Sequence, residues 1–349
     1  MKKSILSLAL LAATGVYAQS VTLYGVADLA YNNDVKKSTA GAKTETSDVI
    51  TNGLSTSRLG VKGDREIMSG LKANFVMEFE VDQSSDSGIV KTRIGTVGLA
   101  GSMGGVTFGR RNTLIKDIEN SFDANDGPTA AGYLGDNARE SRRNDMITYT
   151  TPVFSGFSAD AQLGFGAVNK ETNGAGLVTN DGKSGDSTSL ALNYVNGPFA
   201  VKFGTETVKA FSKSVSVAGA SVAVPTAMAD RKNDAFGLSY DLGVAKLFYV
   251  NTRMKQGTQA SLVTFDTSNF GVRVPMGNFT LNAGVSDGTA KLTTSAVKAD
   301  LSGVQLSVWY ALNKDTTLYG VYGKETIKHT TYTTTSEDKT MLVGVRYKF

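Results

Sequence analysis

Alternation of apolar and polar residues is the feature of this sequence that most constrains its fold. In Leu71–Asp82, apolar side chains occupy every second position, with mostly polar residues between them. The same pattern recurs in 157–165, 236–249 and 279–286. Side chains that repeat every second residue share one face of a β-strand, whereas a helix would spread them over all its faces. The chain is therefore predicted to be all-β.

The connections between the alternating segments predict the number of strands. Seven connections are short and resemble tight turns, at 63–70, 101–105, 151–156, 195–198, 241–243, 275–278 and 313–316. Eight longer polar segments alternate with them, near 32–47, 83–90, 111–141, 168–186, 211–231, 254–258, 286–300 and 325–338. Short turns at one end, long loops at the other and an even strand number are typical of outer-membrane barrels. We therefore predict a 16-stranded antiparallel transmembrane β-barrel.

An exported β-sandwich, such as an adhesin, is the alternative fold. Sandwich strands average about 5–6 residues, whereas the apolar faces here approach the roughly 9–11 residues of a membrane-spanning strand. A mean hydropathy of −0.12 is compatible with a barrel, because only alternate residues face lipid. The sandwich also leaves unexplained an alternating final segment, 341–349, that ends on Phe349. In a closed barrel this segment pairs with the first strand, expected at 21–31, and both sheet edges disappear.

The N-terminus and the composition indicate export. Residues 1–18 have the pattern of a signal peptide, with Lys2 and Lys3, an apolar core at 5–13 and small residues near position 18. That core is too short to span a bilayer, which takes about 20 helical residues. The barrel domain is then 19–349. The absence of cysteine excludes disulfides and thiolate zinc sites, no other cofactor or metal site is recognisable, and a net charge of +4 is too small to indicate a nucleic-acid partner.

One long interruption of the alternation lies between Arg110 and Arg143. Its 34 residues are rich in charge and show almost no period of two. An insertion of this length in a compact domain usually serves function. We expect it to be the third external loop, folded inward so that it narrows a transmembrane pore.

Several short segments, taken in order and spacing, resemble a known family. They are Val-Thr-Leu-Tyr-Gly at 21–25, Ser-Arg-Leu-Gly-Val-Lys-Gly at 57–63, Gly-Leu-Lys-Ala at 70–73, Val-Gly-Leu at 97–99, Phe-Gly-Arg at 108–110, Tyr-Thr-Thr-Pro-Val-Phe-Ser-Gly-Phe at 149–157 and the last strand at 343–349. The whole exported chain resembles the trimeric Gram-negative porins of β-proteobacteria, which include the neisserial and the Comamonas or Bordetella porins. The turn at 63–67 departs from that family, because it reads Gly-Asp-Arg-Glu-Ile where Glu-Asp-Leu-Gly is usual.

The resemblance implies a homotrimer in the Gram-negative outer membrane, in contact with lipid and lipopolysaccharide. It also implies passive diffusion of small hydrophilic solutes, often with a preference for anions. The terminal Phe349 is implied to be the signal that the outer-membrane assembly machinery reads. Trp309, Tyr310 and Tyr347 are expected, together with Phe349, in the aromatic girdles that flank the lipid-facing band of such barrels.

A sixteen-stranded barrel leaves an aqueous lumen, so selectivity depends on the width of its narrowest part and on the charges there. The candidate basic residues are Arg58, Lys62, Arg93, Arg110, Arg111, Arg142 and Arg143. The candidate acidic residues are Glu78, Asp117, Glu119 and Asp123. Opposed rows of the two signs would create a field across the pore, and an excess of arginine would favour anions. The alternative for each loop acid is a solvated surface position.

These candidates have different origins. By alternation, Arg58 and Lys62 face away from their apolar neighbours and therefore toward the lumen. Arg93 is included through its resemblance to the basic wall cluster of the family, and its phase is ambiguous because Val97 shares its parity whereas Ile94 does not. Glu78 belongs to a strand. The remaining candidates lie in the insertion or at its ends.

Two other functions are weighed against a general diffusion porin. A substrate-specific channel on the same barrel would need a binding track such as an aromatic ladder with an arginine row, and the insertion contains only Phe122 and Tyr133 as aromatics. An outer-membrane hydrolase would want a serine–histidine pair, but His329, the only histidine, has no recognisable partner motif. We therefore expect a channel and not an enzyme.

Overall fold

The computed structural model describes most of the chain that the sequence assigns to the barrel. The described residues are 20–86, 88–125, 141–166, 171–172, 178–180, 185–211, 215–217, 220–222, 229–258, 261–292, 298–329 and 335–349. The predicted signal peptide, 1–18, and the middle of the insertion, 126–140, lie outside them. Within the described ranges, no helix is long and apolar enough to cross a membrane.

The described residues form twenty-one strands and one short helix. In chain order these are β1 (Ser20–Lys37), β2 (Lys43–Thr51), β3 (Arg58–Met68), β4 (Leu71–Asp82), β5 (Gly88–Gly101), β6 (Gly104–Asn112), α1 (Leu114–Ser121), β7 (Arg142–Thr150), β8 (Phe157–Gly164), β9 (Glu171–Thr172), β10 (Val178–Asn180), β11 (Ser187–Asn196), β12 (Phe199–Phe211), β13 (Val215–Val217), β14 (Ala220–Val222), β15 (Ala229–Asp241), β16 (Lys246–Thr258), β17 (Ser261–Met276), β18 (Phe279–Leu292), β19 (Lys298–Ala311), β20 (Thr316–His329) and β21 (Thr335–Lys348).

Seventeen of these strands form one closed antiparallel sheet. Strand β1 pairs with both β2 and β3, so β2 and β3 are two halves of one barrel strand that is broken at 52–57. The barrel therefore has sixteen strands, as the sequence predicts. Closure comes from β1 and β21, which pair from Val26↔Lys348 to Lys37↔Glu337. The β9–β10 and β13–β14 hairpins belong to connections outside this sheet.

Several strands are longer than the alternation predicts. The segment 32–47 was expected to be a loop, but β1 continues to Lys37 and β2 begins at Lys43. Strands β18, β19, β20 and β21 likewise extend into the segments expected at 286–300 and 325–338. Backbone pairing does not require apolar side chains, so the apolar pattern ends where the lipid-facing zone ends, before the strand itself does.

The two faces of the sheet differ in the way a barrel in a membrane requires. On β11, Leu190 and Leu192 are largely exposed, whereas the alternate residues Ser189 and Ala191 are buried. On β17 the same contrast separates exposed Phe270 from buried Asn269. Exposed apolar side chains suit contact with lipid, and polar side chains suit a lumen. Parts of the inward face are also covered by other segments of the chain.

The assignment of the two faces predicts opposite outcomes for neighbouring residues of β4. Met77 is 51% exposed on the outward face, whereas Val76 faces the lumen beside Thr107 and Arg111. We expect Met77→Arg to lower the free energy of unfolding by about 2–4 kcal/mol, because it places a charge in the lipid-facing band. Val76→Arg is the matched control and should have a much smaller effect. The measurement is urea unfolding in lipid vesicles, and equal losses for the two variants would contradict the assignment.

Candidate functional site

The insertion begins with a helix that the alternation does not reveal. Strand β6 ends at Asn112, and the Thr113 side chain caps α1 by accepting a hydrogen bond from the Lys116 backbone N–H at 3.2 Å. Leu114, Ile115 and Ile118 form the buried side of α1. A threonine cap followed by apolar residues three or four positions apart is a helix signal. This local signal is present in the sequence and indicates α1. We call residues 113–125 the insertion segment.

The insertion segment lies on the inward face of the sheet. The buried side of α1 packs against Ala191, Ala235 and Val250, which belong to β11, β15 and β16. Ala191 alternates with the exposed Leu190 and Leu192 of β11, so it is on the face opposite to lipid. Where the segment leaves the wall, the side chain of Gln162 accepts from the Leu114 backbone N–H at 3.2 Å and donates to the Asn112 carbonyl at 3.1 Å.

Four glycines on four strands give the insertion segment room to approach the wall. They are, with the residue of the segment that each one meets, Gly204 with Ile118, Gly237 with Phe122, Gly271 with Ala124 and Gly284 with Asn125. A Cβ added at Gly204 would come within 2.6 Å of Ile118 Cδ1, and one at Gly271 within 2.5 Å of Ala124 Cβ. Such separations are too short for non-bonded carbons, so only glycine permits this approach. We call these four residues the glycine track; they belong to β12, β15, β17 and β18.

A second stretch of chain also lies on the inward face. Residues 52–57, which we call the break segment, separate β2 from β3 and place Leu54 against Ala30 and Trp309 in a fully buried cluster. The buried carboxylate of Asp28 fixes this stretch, because it accepts hydrogen bonds from the backbone N–H groups of Leu54 at 3.2 Å and Ser55 at 2.7 Å. Its other oxygen accepts a hydrogen bond from the Tyr319 hydroxyl. No pattern in the sequence indicates this segment.

The expectation for Trp309 is wrong. It was placed in an aromatic girdle, but the side chain is only 8% exposed and lies on the inward face beside Leu54. Its register partner is Tyr319, which is also buried on that face. Trp309 alternates with the exposed Val308, and a residue next to a lipid-facing position must point into the barrel. Tyr347 and Phe349 are half exposed on the outer side, and their rings stack with their centroids 6.0 Å apart.

The predicted basic and acidic wall residues meet around one carboxylate. Arg93 Nε lies 2.7 Å from Glu78 Oε1, and Arg58 Nη1 lies 3.9 Å from the same oxygen. The Tyr24 hydroxyl donates to the other oxygen at 3.1 Å. Arg93 Nη1 also lies 3.6 Å from Glu80. The site therefore joins β1, β3, β4 and β5 on the inward face.

A β-bulge resolves the ambiguous phase of Arg93. Glu78 pairs with Ile94, and the next residue of β4, Phe79, pairs with Thr92. Arg93 is therefore an extra residue between two pairs, which re-aims its side chain. It points to Glu78 although Val97, with the same parity, is exposed on the outer face. Alternation alone fails at this position because it assumes an unbroken register.

Two further predicted arginines join this group. Arg110 donates through Nε to the Thr92 carbonyl at 2.8 Å and through Nη1 to Asn144 at 2.7 Å. Arg142 lies within electrostatic range of Arg58, Arg93 and Arg110. We call Arg58, Arg93, Arg110 and Arg142 the arginine cluster. It carries more guanidinium groups than carboxylates, and guanidinium remains charged at any physiological pH.

The other three predicted basic residues have different nearest partners. Lys62 Nζ lies over the Tyr24 ring at 5.4 Å. Arg111 Nη2 lies 3.5 Å from Asp117 Oδ2 of α1. Arg143 donates to the Gly185 carbonyl.

The acidic residues of the insertion segment are held close to the protein. Asp117 accepts a hydrogen bond from Asn112 at 2.8 Å. Glu119 is 4% exposed, and its Oε2 lies 3.7 Å from Lys116 Nζ. Asp123 is 5% exposed and accepts a hydrogen bond from the Asn125 backbone N–H at 2.9 Å. Of these acids, Asp117 is the one with substantial solvent exposure. Among the described residues no group of three potential metal ligands occurs.

Comparison with known proteins places this geometry among bacterial porins. The model of the Gram-negative porin family matches residues 6–330. The chain is similar to outer membrane porin protein 32 of Delftia acidovorans, with 32% identity over 92% of this chain and 88% of that one. It is also 32% identical to an outer membrane porin protein of Bordetella pertussis, over 74% and 70% of the two chains.

Among solved structures, the chain is similar to an anion-selective porin from Comamonas acidovorans. The TM-score is 0.72 with 27% identity, and the match covers 95% of this chain and all of that one.

The glycine track predicts a specific sensitivity to added side-chain volume. We expect Gly237→Ala to lower the free energy of unfolding by about 1–3 kcal/mol, because the new methyl group overlaps the Phe122 ring. Gly320→Ala is the matched control, since its nearest neighbour would be the Leu342 carbonyl oxygen at 3.9 Å. The measurement is urea unfolding, followed by the fluorescence of Trp309, the only tryptophan. A Gly237→Ala protein as stable as the control would show that the segment does not depend on this contact.

Proposed function

The chain belongs to the Gram-negative porin family, and we propose that it is an anion-preferring diffusion channel whose selectivity comes from the arginine cluster. As a member of that family it is an outer-membrane porin, a channel protein and not an enzyme. Small hydrophilic solutes and ions cross such a barrel passively through its aqueous lumen. The proposal concerns which of them cross most readily.

The observation that carries this proposal is the position of Arg58 and Arg93 beside Glu78, with Arg142 within electrostatic range of all three. The Arg58 and Arg93 guanidiniums both lie within 3.9 Å of one Glu78 oxygen, so the single negative charge of Glu78 is shared by two cations. A net positive wall raises the local concentration of anions and lowers that of cations. The similarity to an anion-selective porin from Comamonas acidovorans supports the same sign of preference.

The insertion as a whole is proposed to narrow the channel. The contacts of residues 113–125 with Gln162 on β8 and with Gly204 through Gly284 on β12 to β18 support this. The segment starts from β6 and reaches strands on the far side of the barrel within thirteen residues. A segment of thirteen residues is too short to follow the outside of the barrel over that distance, and this supports a path across the lumen.

A substrate-specific channel is the second candidate, and one observation favours it. Cationic and aromatic side chains alternate along the inward face, in the order Lys246, Phe248, Arg273, Trp309 and Arg346, with centroid distances of 4.9–5.5 Å. Such a series is what a binding track would need. However, Phe248, Trp309 and Arg346 are all buried, so a passing solute cannot stack on them. General diffusion is therefore the preferred function.

Export, assembly and oligomeric state complete the proposal. Residues 1–18 act as a cleaved signal peptide, and Phe349 is the assembly signal. Phe349 is available for this role because its backbone pairs with Gly25 in both directions, at 2.9 and 3.2 Å, while its ring is half exposed. The protein forms a homotrimer surrounded by outer-membrane lipid and lipopolysaccharide, as the resemblance to trimeric porins implies.

The proposal predicts the sign of the reversal potential. The purified protein is inserted into a planar bilayer with a potassium chloride gradient, and discrete conductance steps with a chloride-favouring reversal potential are expected. A potassium-favouring potential would contradict the anion preference and leave the channel intact. No conductance from folded, inserted protein would contradict the channel itself.

Single charge changes in the cluster should shift this potential in opposite directions. Glu78→Gln removes a negative charge and should raise the chloride-to-potassium permeability ratio, whereas Arg110→Gln removes a positive charge and should lower that ratio. Each change should be roughly 2–5-fold at 0.1 M salt, because a unit charge within several ångström changes the energy of an ion by about 1 kcal/mol in water. At 1 M salt, where the Debye length falls from about 10 to about 3 Å, both shifts should nearly vanish. Equal shifts of the same sign would exclude the cluster as the source of selectivity.

A further inference from the structure

The insertion segment and the break segment lie on the inward face at different places, and three side chains connect them. We propose that Arg273, Trp309 and Arg346 form a clasp that fixes the insertion segment relative to the break segment and thereby sets the cross-section of the pore. This inference rests on the proposed channel function and adds three positioning residues to it. The sequence indicates none of the three as a pore residue, and it predicts a girdle position for Trp309.

The first attachment is between Arg273 and the insertion segment. Arg273 Nη2 donates to the Ala124 carbonyl at 2.6 Å, and Nε donates to Asn282 on the neighbouring strand at 2.9 Å. The guanidinium is therefore fixed to the wall and to the segment at once. The glycine track permits close packing, but packing does not fix the orientation of the backbone. The hydrogen bond from Arg273 fixes the orientation of the Ala124 carbonyl.

The second attachment is between Arg346 and the break segment. Arg346 Nη1 donates to Ser55 Oγ at 2.9 Å. The backbone N–H of Ser55 in turn donates to the buried carboxylate of Asp28 at 2.7 Å. Arg346 thus contacts a segment that is already immobilised, which makes it a fixed point for the rest of the clasp.

Trp309 joins the two arginines. The Arg273 guanidinium lies 4.9 Å from the centroid of the indole ring and that of Arg346 lies 5.3 Å from it. Strands β17 and β21, which carry these arginines, lie on opposite sides of β19, which carries Trp309. Cations are attracted to an aromatic face within about 6 Å. The indole Nε1 has no hydrogen-bond partner in the described part of the chain, so the ring makes its polar contacts through its face.

The clasp turns separate inward features into a continuous ring. From Ala124 it passes through Arg273, Trp309 and Arg346 to Ser55. Beyond that point, the break segment leads along the backbone to Arg58, the first residue of β3 and a member of the arginine cluster. The cluster continues to Arg110 at the root of the insertion.

A continuous ring explains why the clasp should matter for conduction. The sheet itself does not need these side chains, because its strands are paired through their backbones. Without the indole ring, two guanidiniums repel each other with nothing between them, and the hydrogen bond to Ala124 is the contact most free to break. The end of the insertion segment then moves, and the open-channel current fluctuates.

The test is single-channel recording on Trp309→Leu. We expect open-channel current noise to rise several-fold and channel closure to occur at lower voltage, with Trp309→Phe intermediate because phenylalanine keeps an aromatic face. Tyr310→Leu is the matched control. It removes an aromatic side chain at the next position, where the ring contacts Phe279 at 4.7 Å and not the clasp, and it should behave as the native protein does. Native noise and closing voltage in Trp309→Leu would overturn the proposal.

The same recordings separate this inference from the proposed function. If the native protein forms anion-preferring channels and Trp309→Leu has the same noise and closing voltage, the result contradicts the clasp alone. Native protein without channels, or with a cation preference, contradicts the proposed function and is recognised before any variant is compared. Resistance of the folded band to heat on a gel identifies variants that have simply failed to fold. If Trp309→Leu fails to fold, Arg273→Lys is recorded in its place, because it keeps the charge but loses the planar fork of the guanidinium. Open-channel noise equal to that of the native protein would then contradict the clasp.

A disulfide supplies a rescue experiment, since the chain has no cysteine of its own. Ala124→Cys and Gly271→Cys place two thiols together, because a Cβ at 271 would lie 2.5 Å from Ala124 Cβ. Disulfides need about 3.5–4.5 Å between Cβ atoms, so the segment must first move away from the wall by about 1–2 Å. The reference in this experiment is therefore the oxidised double-cysteine protein that keeps Trp309, and not the native protein. In the Trp309→Leu background, oxidation should restore the low noise of the oxidised double-cysteine protein, and reduction should abolish it. Noise that persists after oxidation would show that the position of the segment is not what Trp309 controls.

Discussion

Closure of the sheet through β1 and β21 is the interaction on which the rest of this structure depends. Backbone N–H and C=O groups within a bilayer have no water to bind, so every strand must have two neighbours. The register from Val26↔Lys348 to Lys37↔Glu337 supplies the last pair. Sixteen strands closed in this way enclose more space than their own side chains can fill. The lumen is therefore a consequence of closure, and its width at any level depends on what else lies inside.

Two segments lie on the inward face, and each is held there by a different physical means. The insertion segment packs into the space left by the glycine track and ends on the Arg273 hydrogen bond to Ala124. The break segment is held by the buried Asp28 carboxylate, which satisfies two backbone N–H groups and one hydroxyl. A buried charge is stable only when it is so satisfied. The insertion segment thus depends mainly on van der Waals packing, and the break segment depends mainly on hydrogen bonds.

The arginine cluster shows how a local irregularity of a strand can bring a charged side chain to the inward face. Arg58 and Arg93 both lie beside Glu78, and Arg93 does so because a bulge turns it inward. In a regular strand its parity would direct the side chain into lipid, where a charge is costly. Strand register and pore electrostatics are therefore coupled at this one position. Arg58, in contrast, needs no such device, since its parity already directs it to the lumen.

The sequence by itself determined the barrel, its strand number, the position of the insertion and several members of the cluster. Period-two alternation and turn spacing depend on neighbouring residues, so they can be read without the fold. The tertiary structure alone decided the inward orientation of Arg93, the break at 52–57, the glycine track and the burial of Trp309. Each of these depends on residues far apart in the chain, such as Gly237 with Phe122, which meet only after the sheet has closed. Alternation reports which face a residue takes, and it carries no information about what covers that face.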